Sequence, residues 1–242
     1  MTENFFTVIP ARKGSKGIPN KNLQKIGGKP ILQYTLEAAK FSVEIDSTIL
    51  SSDDPGAIQL AKLIGIEAPF IRPEQIALDE STTIDVIIHA LEWYKVSHKQ
   101  LPEFVVCLQP TSPFRTSMDI DESIRAFMKA GAESLISVCE VSQHPSDCIY
   151  ENENGTIEQV FKPSQSSGVG RQKFSKVYFI DGSIYISRTS RFLDKRSFID
   201  TNTYLHVINK SHALDIDEPF DLELARAMEN YGRLRDSSLF DL

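Results

Sequence analysis

Short apolar runs alternate with helix-period patterns between residues 5 and 140, and this alternation limits the possible folds more than any other feature of the chain. The runs at 5–9, 48–51, 66–70, 104–108 and 134–140 have the length of strands. Between them, 30–41, 55–64, 82–94 and 117–130 carry apolar residues at helical spacing, with Ile84, Ile87, Ile88 and Leu91 along one face. Strands that alternate with helices are joined by crossovers and lie parallel, with the helices packed over the sheet. The expected class is therefore α/β. Pro30 suits the first turn of its helix, where a missing N–H leaves nothing unpaired.

The pattern breaks at 141–176, a polar stretch that contains Glu151-Asn152-Glu153-Asn154-Gly155 and Pro163-Ser164-Gln165-Ser166-Ser167-Gly168. We read it as an insertion within a single domain spanning 1–242. The first cluster, flanked by 148–150 and 156–161, predicts a hairpin arm, a candidate dimerisation element; a surface loop is the alternative. Strand signals return at 183–187 and 203–208, and a helix is expected over 218–231.

A chain of 242 residues that is 41% hydrophobic and 24% charged can bury a substantial core. Its net charge of -7 leaves no global basic field for nucleic acid, although the basic cluster at 12–21 can attract one phosphorylated ligand. No run approaches the roughly 18 apolar residues of a membrane span, and the first residues lack the features of a secretory signal. A cytoplasmic protein with no membrane partner is expected. Cys107, Cys139 and Cys148 form no Cys-x-x-Cys pair and read as buried, reduced thiols. The five histidines match no catalytic motif, and none is assigned a role.

The first strand runs into Pro10-Ala11-Arg12-Lys13-Gly14-Ser15-Lys16-Gly17-Ile18-Pro19-Asn20-Lys21-Asn22. A glycine-rich loop at the carboxyl end of such a strand can turn several backbone N–H groups toward an anion. Arg12 can grip phosphate oxygens as a fork, and Lys21 can add a point charge. The spacing is neither that of a dinucleotide-binding loop nor that of a Walker loop. An exposed basic loop without a ligand is the competing reading. Farther on, Asp215 and Asp217 stand two apart, so in an extended segment both carboxylates point the same way and can hold Mg²⁺. Asp217-Glu218-Pro219 reads equally well as a helix N-cap.

The segment Ile9-Pro10-Ala11-Arg12-Lys13-Gly14-Ser15-Lys16-Gly17 followed by Asn20-Lys21-Asn22 resembles the signature of CMP-N-acylneuraminate synthetases, the cytidylyltransferases that activate sialic and related acids. The resemblance continues through Arg72-Pro73-Glu74, Ser81-Thr82-Thr83, Leu108-Gln109-Pro110-Thr111-Ser112-Pro113-Phe114-Arg115, Asp181-Gly182-Ser183-Ile184-Tyr185 and Asp215-Ile216-Asp217. It implies a Rossmann-like, mostly parallel sheet with helices on both faces, of the nucleotide-diphospho-sugar transferase type. It also implies CTP as donor, a nonulosonic acid as acceptor, Mg²⁺ or Mn²⁺, and a homodimer built through an arm.

Carried over residue by residue, the resemblance gives Arg12 and Lys21 the phosphate charge. Gly14, Ser15 and Lys16 cradle the triphosphate, and Asn22 meets ribose or phosphate. Asp215 and Asp217 bind the metal, and Asp217 or a metal-bound hydroxide is the candidate base. Arg72, Ser81 and Thr83 match the cytosine-reading positions; the competing readings are a surface ion pair for Arg72 and a helix cap for Ser81 or Thr83. Gln109 faces the sugar, Arg115 supports its loop, and Arg171, Asp181 and Tyr185 line the acceptor pocket, with Arg171 toward the sugar carboxylate. Phe198 is assigned to the acyl pocket, with a core position as the alternative. Asp181 replaces the asparagine expected there, which leaves the sugar open. Legionaminic or pseudaminic acid is the next choice, then 3-deoxy-octulosonate. A nucleotide-binding scaffold without catalysis is the non-enzyme alternative.

Overall fold

In the first strand, Phe5 and Ile9 face one side while Phe6 and Val8 face the other, and all four are buried. Such two-sided burial marks a strand in the interior of a sheet covered on both faces. The computed structural model describes residues 4–160 and 176–237.

The chain runs through β1 (Phe5–Pro10), a 3₁₀ turn at Lys21–Leu23, β2 (Lys25–Ile26), β3 (Lys29–Pro30), α1 (Ile31–Phe41), β4 (Ser47–Ser51) and α2 (Pro55–Ile64). Next come α3 (Thr83–His98), β5 (Phe104–Leu108), α4 (Ser117–Ala130) and β6 (Ser134–Glu140). A hairpin of β7 (Ile149–Glu151) and β8 (Ile157–Gln159) precedes β9 (Tyr178–Arg188), α5 (Thr189–Lys195), β10 (Tyr204–Val207) and α6 (Pro219–Ser237). Six strands form the central sheet in the order β10-β6-β9-β5-β1-β4. Neighbours are parallel except β9, which is antiparallel to both β5 and β6. The helices α1, α2 and α4 pack on one face through Leu32, Leu36, Ala61, Ile124 and Phe127. On the other face α3 and α5 bury Ile87, Leu91 and Phe192. This is the α/β sheet with helices on both faces that the sequence predicts.

Local chemistry starts the helices where the periodicity places them. Asp54 caps α2 by accepting from the Gly56 amide, with Pro55 at the first helical position. Thr116 and Asp119 form a reciprocal capping box at α4. Four expectations need correction. Cys148, read as a buried thiol, is exposed just before β7, whereas Cys107 and Cys139 are buried. Residues 66–70 do not form a strand: they run beside β4 with single bridges at Ile49–Glu67 and Ser52–Ile71, since Pro69 has no N–H to continue a ladder. Pro30 precedes α1 as its N-cap and pairs with Lys25, so it lies outside the first turn. The strand expected at 183–187 extends over Tyr178–Arg188, and α5 follows it without a sequence signal strong enough to announce it. The arm hairpin forms with its turn at 152–156; Phe161, on its predicted flank, lies outside the described residues.

A third apolar cluster joins distant parts of the chain. Ile18 from the basic loop, Ile26, Ile31 and Ile216 pack with Leu222 and Ala225 of α6. It fixes the loop after β1 to the segment before α6. Among the described residues no helix is long and apolar enough to cross a membrane.

β5 lies between β9 and β1 with every residue buried. Phe104 stacks on Phe5 at 4.7 Å and meets Phe127 edge-on at 5.3 Å. Phe104→Ala is expected to lower unfolding free energy by about 3–5 kcal/mol, read from urea denaturation.

Candidate active site

The loop after β1 is held by its own backbone before any side chain reaches a ligand. The Ala11 amide donates to the Ser51 carbonyl at 3.0 Å, and the Lys13 amide donates to Asp53 at 2.8 Å. Asn22 is buried and donates its side-chain amide to the Arg12 carbonyl at 3.0 Å, closing the loop on itself. Gly17 lies so close to the second aspartate that a Cβ there would stand 2.6 Å from the Asp217 carbonyl oxygen. No side chain fits at 17 unless the loop moves. Lys21 donates to the Ile216 carbonyl at 2.8 Å and to the Asp217 carboxylate at 3.0 Å. Arg12 and Lys16 both pair with Asp79, Lys16 at 3.1 Å.

This loop forms one wall of a cavity of about 330 Å³ at the carboxyl edge of β1 and β5. Arg12, Gly14, Ser15, Lys21 and Asn22 line that wall. Arg72, Ser81, Thr82 and Thr83 form a second wall, Gln109 and Thr111 a third, and Gly182, Tyr185, Asp215 and Asp217 complete it. Arg72 is buried, with its guanidinium bonded to the Ser51 hydroxyl at 3.2 Å and to the Ser51 carbonyl, so it is no surface ion pair. Burial brings its pKa down to about 10. The cap of α3 is Thr82, which accepts from the Asp85 amide; neither Ser81 nor Thr83 serves as the cap. Ser81 donates to the Gln75 carbonyl instead, and Thr83 accepts from Gln109 at 3.4 Å.

The two aspartates occupy different environments. Asp215 is largely buried, and burial raises its pKa, with the charge of Asp217 adding to the shift while a hydrogen bond from Thr111 and the charge of Lys21 oppose it. Its Oδ1 is buried without a hydrogen-bond partner. Asp217 is exposed, its side chain at 72% of full accessibility. Asp221 accepts from the amides of Asp217 and Glu218 at 2.9 and 2.8 Å, so the start of α6 is capped from inside the helix. The carboxylate of Asp217 thus bonds Lys21 while Asp221 does the capping. Gly182, at φ +77, faces them: a Cβ there would stand 3.5 Å from Asp215 Oδ2. Among the described residues no three His, Cys, Asp or Glu gather at one point.

Several predicted positions fall elsewhere. Lys16 does not line the cavity; its side chain is 79% exposed and reaches Asp79. Asp181 is buried but does not line the cavity; the register shift between β6 and β9 at Ile136/Val138 breaks simple alternation here, and Gly182 and Tyr185 are the β9 residues that reach the lining. The charge of Asp181 instead favours the buried cation of Arg115, whose pKa burial lowers to about 10. Arg115 bonds the carbonyls of Gln109 at 3.1 Å and Ser183 at 2.8 Å, tying β5 to β9 beneath the cavity. Phe198 is a core residue packed on Phe192 and Tyr185, away from the cavity lining. Arg171 lies outside the described residues. Sequence reasoning missed Asp79, which sits in an acidic pair with no motif, and Thr111, whose place inside the Gln109–Arg115 segment was the available signal.

A family profile described as cytidylyltransferase matches residues 6–230. An N-acylneuraminate cytidylyltransferase of Streptococcus agalactiae is 32% identical over 213 residues, covering 87% of this chain and 49% of its own length. The chain thus spans about half the length of that relative. A CMP-N,N'-diacetyllegionaminic acid synthase of Legionella pneumophila is 31% identical over 229 residues, covering 93% of this chain and 95% of its own. Among solved structures, a CMP:2-keto-3-deoxy-manno-octonic acid synthetase complexed with CTP shares the fold at a TM-score of 0.68 and 19% identity, over 95% of this chain and 99% of that one.

Gly17→Ala is expected to push the loop off Asp217 and so separate it from the aspartates. Calorimetric titration with inorganic pyrophosphate should show roughly tenfold weaker binding, with the unfolding free energy lowered by about 1–3 kcal/mol because the group met at 17 is backbone.

Proposed function

This chain belongs to the cytidylyltransferase family, and we propose that it transfers the cytidylyl group of CTP to the anomeric hydroxyl of an N-acylneuraminate-type nonulosonic acid, with release of pyrophosphate. The observation that carries this reading is the bond between Lys21 and Asp217 at 3.0 Å, which joins the phosphate loop to the aspartate pair at one end of the cavity.

Transfer requires the sugar hydroxyl to approach the α-phosphate in line while charge grows on the departing pyrophosphate. Arg12 and Lys21 supply positive charge to the phosphate chain, and the backbone of Gly14 and Ser15 approaches it closely. Arg72, Ser81 and Thr83 stand on the opposite wall, where a pyrimidine edge would meet them. Gln109 and Tyr185 border the remaining space, which we assign to the sugar acid. Among the described lining residues Asp215 and Asp217 are the only carboxylates and no histidine is present, so these two are the groups available to receive the anomeric proton. The unpartnered buried oxygen of Asp215 and the hard oxygens of both residues fit Mg²⁺ or Mn²⁺, with phosphate oxygens completing the shell. Such a cation would supply charge neutralisation on the leaving pyrophosphate.

Relatives that take two different nonulosonic acids are almost equally similar to this chain, so legionaminic or pseudaminic acid is the second reading for the sugar. The decisive assay mixes protein, CTP and Mg²⁺ with each of N-acetylneuraminic, legionaminic, pseudaminic or 3-deoxy-octulosonic acid and follows pyrophosphate release. Release dependent on one acid, and reduced about 10²- to 10³-fold by Lys21→Ala, is the expected result. CTP binding without turnover on any acid would point instead to a nucleotide-binding scaffold.

The proposal includes a cytoplasmic homodimer. Ile149, Tyr150 and Ile157 of the hairpin, Phe179 of β9 and Tyr204, Leu205 and Val207 of the edge strand β10 are exposed apolar side chains. Exposed apolar side chains on an arm and a sheet edge support association of two copies. Sedimentation is expected to give a dimer for the wild-type chain and a monomer for the Tyr150→Asp/Ile157→Asp double variant.

A further inference from the structure

Three of the four cations of the basic loop, Arg12, Lys16 and Lys21, are each paired with an aspartate. Lys21 is held by Asp217, while Arg12 and Lys16 share one carboxylate, that of Asp79. Asp53, the remaining aspartate beside the loop, bonds the Lys13 amide and neutralises no cation there. Asp79 takes Arg12 on Oδ1 and Lys16 on Oδ2, so both of its oxygens are engaged. It sits on the segment between the 3₁₀ turn Glu74–Ile76 and α3, the same segment that brings Ser81, Thr82 and Thr83 to the cavity.

We propose that Asp79 is an internal competitor for the phosphate chain, a positioning residue that occupies Arg12 and Lys16 in the empty site, yields them to the triphosphate, and reclaims them to favour departure of pyrophosphate. This role rests on the assignment of the cavity to CTP. The geometry suits a competitor better than a permanent brace. Both pairs are partly exposed, with Asp79 at 37% accessibility, and ion pairs in such surroundings are weak and screened by salt. A polyphosphate carries more negative charge than one carboxylate and offers several oxygens to the same guanidinium fork, so it displaces the aspartate. Once pyrophosphate leaves, the returning carboxylate satisfies two cations that would otherwise face each other across the loop. Asp79 therefore stabilises the product-free form without touching reacting atoms.

The test uses the full chain and two probes, inorganic pyrophosphate and CTP, with calorimetric Kd values at low and high salt. Asp79→Asn keeps the shape and removes the charge. It is expected to tighten pyrophosphate binding by about three- to tenfold, lower the KM for CTP in parallel, and strengthen product inhibition. Asp79→Glu restores values near wild type, and the gap between wild type and Asp79→Asn narrows at high salt. Circular dichroism confirms that each variant is folded. Unchanged or weaker pyrophosphate binding in Asp79→Asn, with wild-type binding intact, overturns the role of Asp79 alone. A wild-type protein that binds neither probe overturns the assignment of the cavity to CTP, and this role with it.

Discussion

The site depends on one junction between segments 195 residues apart, where Lys21 reaches the Ile216 carbonyl and the Asp217 carboxylate. Burial makes the junction stable. Ile18 lies just before Lys21 and Ile216 lies between the aspartates, and both are packed in the apolar cluster that α6 closes. The missing side chain of Gly17 lets the two backbones touch. Without that contact the chain would hold a basic loop and an acidic segment as separate surface features. With it, Arg12, Lys21, Asp215 and Asp217 line one cavity.

The sheet supplies the frame for this junction. β1 and β5 end at the same edge, and the antiparallel β9 beside β5 brings Gly182 and Tyr185 to the cavity from a distant part of the chain. Buried guanidinium groups hold the connecting loops at that edge: Arg72 bonds to Ser51 at the end of β4, and Arg115 bridges Gln109 and Ser183. A buried arginine is tolerated only where carbonyls or a carboxylate receive it. For Arg115 the nearby charge of Asp181 partly offsets burial. The resemblance placed Asp181 in the acceptor pocket, whereas its burial near Arg115 gives it this supporting position.

Electrostatic balance sets the charge that the loop presents. Arg12, Lys16 and Lys21 each meet an aspartate, so the loop has strong local charge with little unpaired charge. Asp215 differs because burial opposes its ionised form and one of its oxygens lacks a partner. A carboxylate kept in that condition does little for the fold by itself. The reaction we propose would give it a place, since that reaction calls for hard oxygen donors and a proton acceptor.

The sequence alone determined the local elements. The bounds of α2, α4, β5 and β6 follow from periodicity and caps, because a helix or strand buries a face set by its own spacing. It also exposed the basic loop and the Asp215–Asp217 pair, since both are contiguous patterns. It could not show that Thr82 rather than a neighbour caps α3, that Asp221 frees Asp217 from capping, or that Asp79 lies on Arg12. Nor could it show the antiparallel course of β9. These features arise from contacts between residues far apart in the chain, and an exposed carboxylate carries no local pattern that names its partner. Only the packed sheet and the apolar cluster around Ile216 decided which charges would meet.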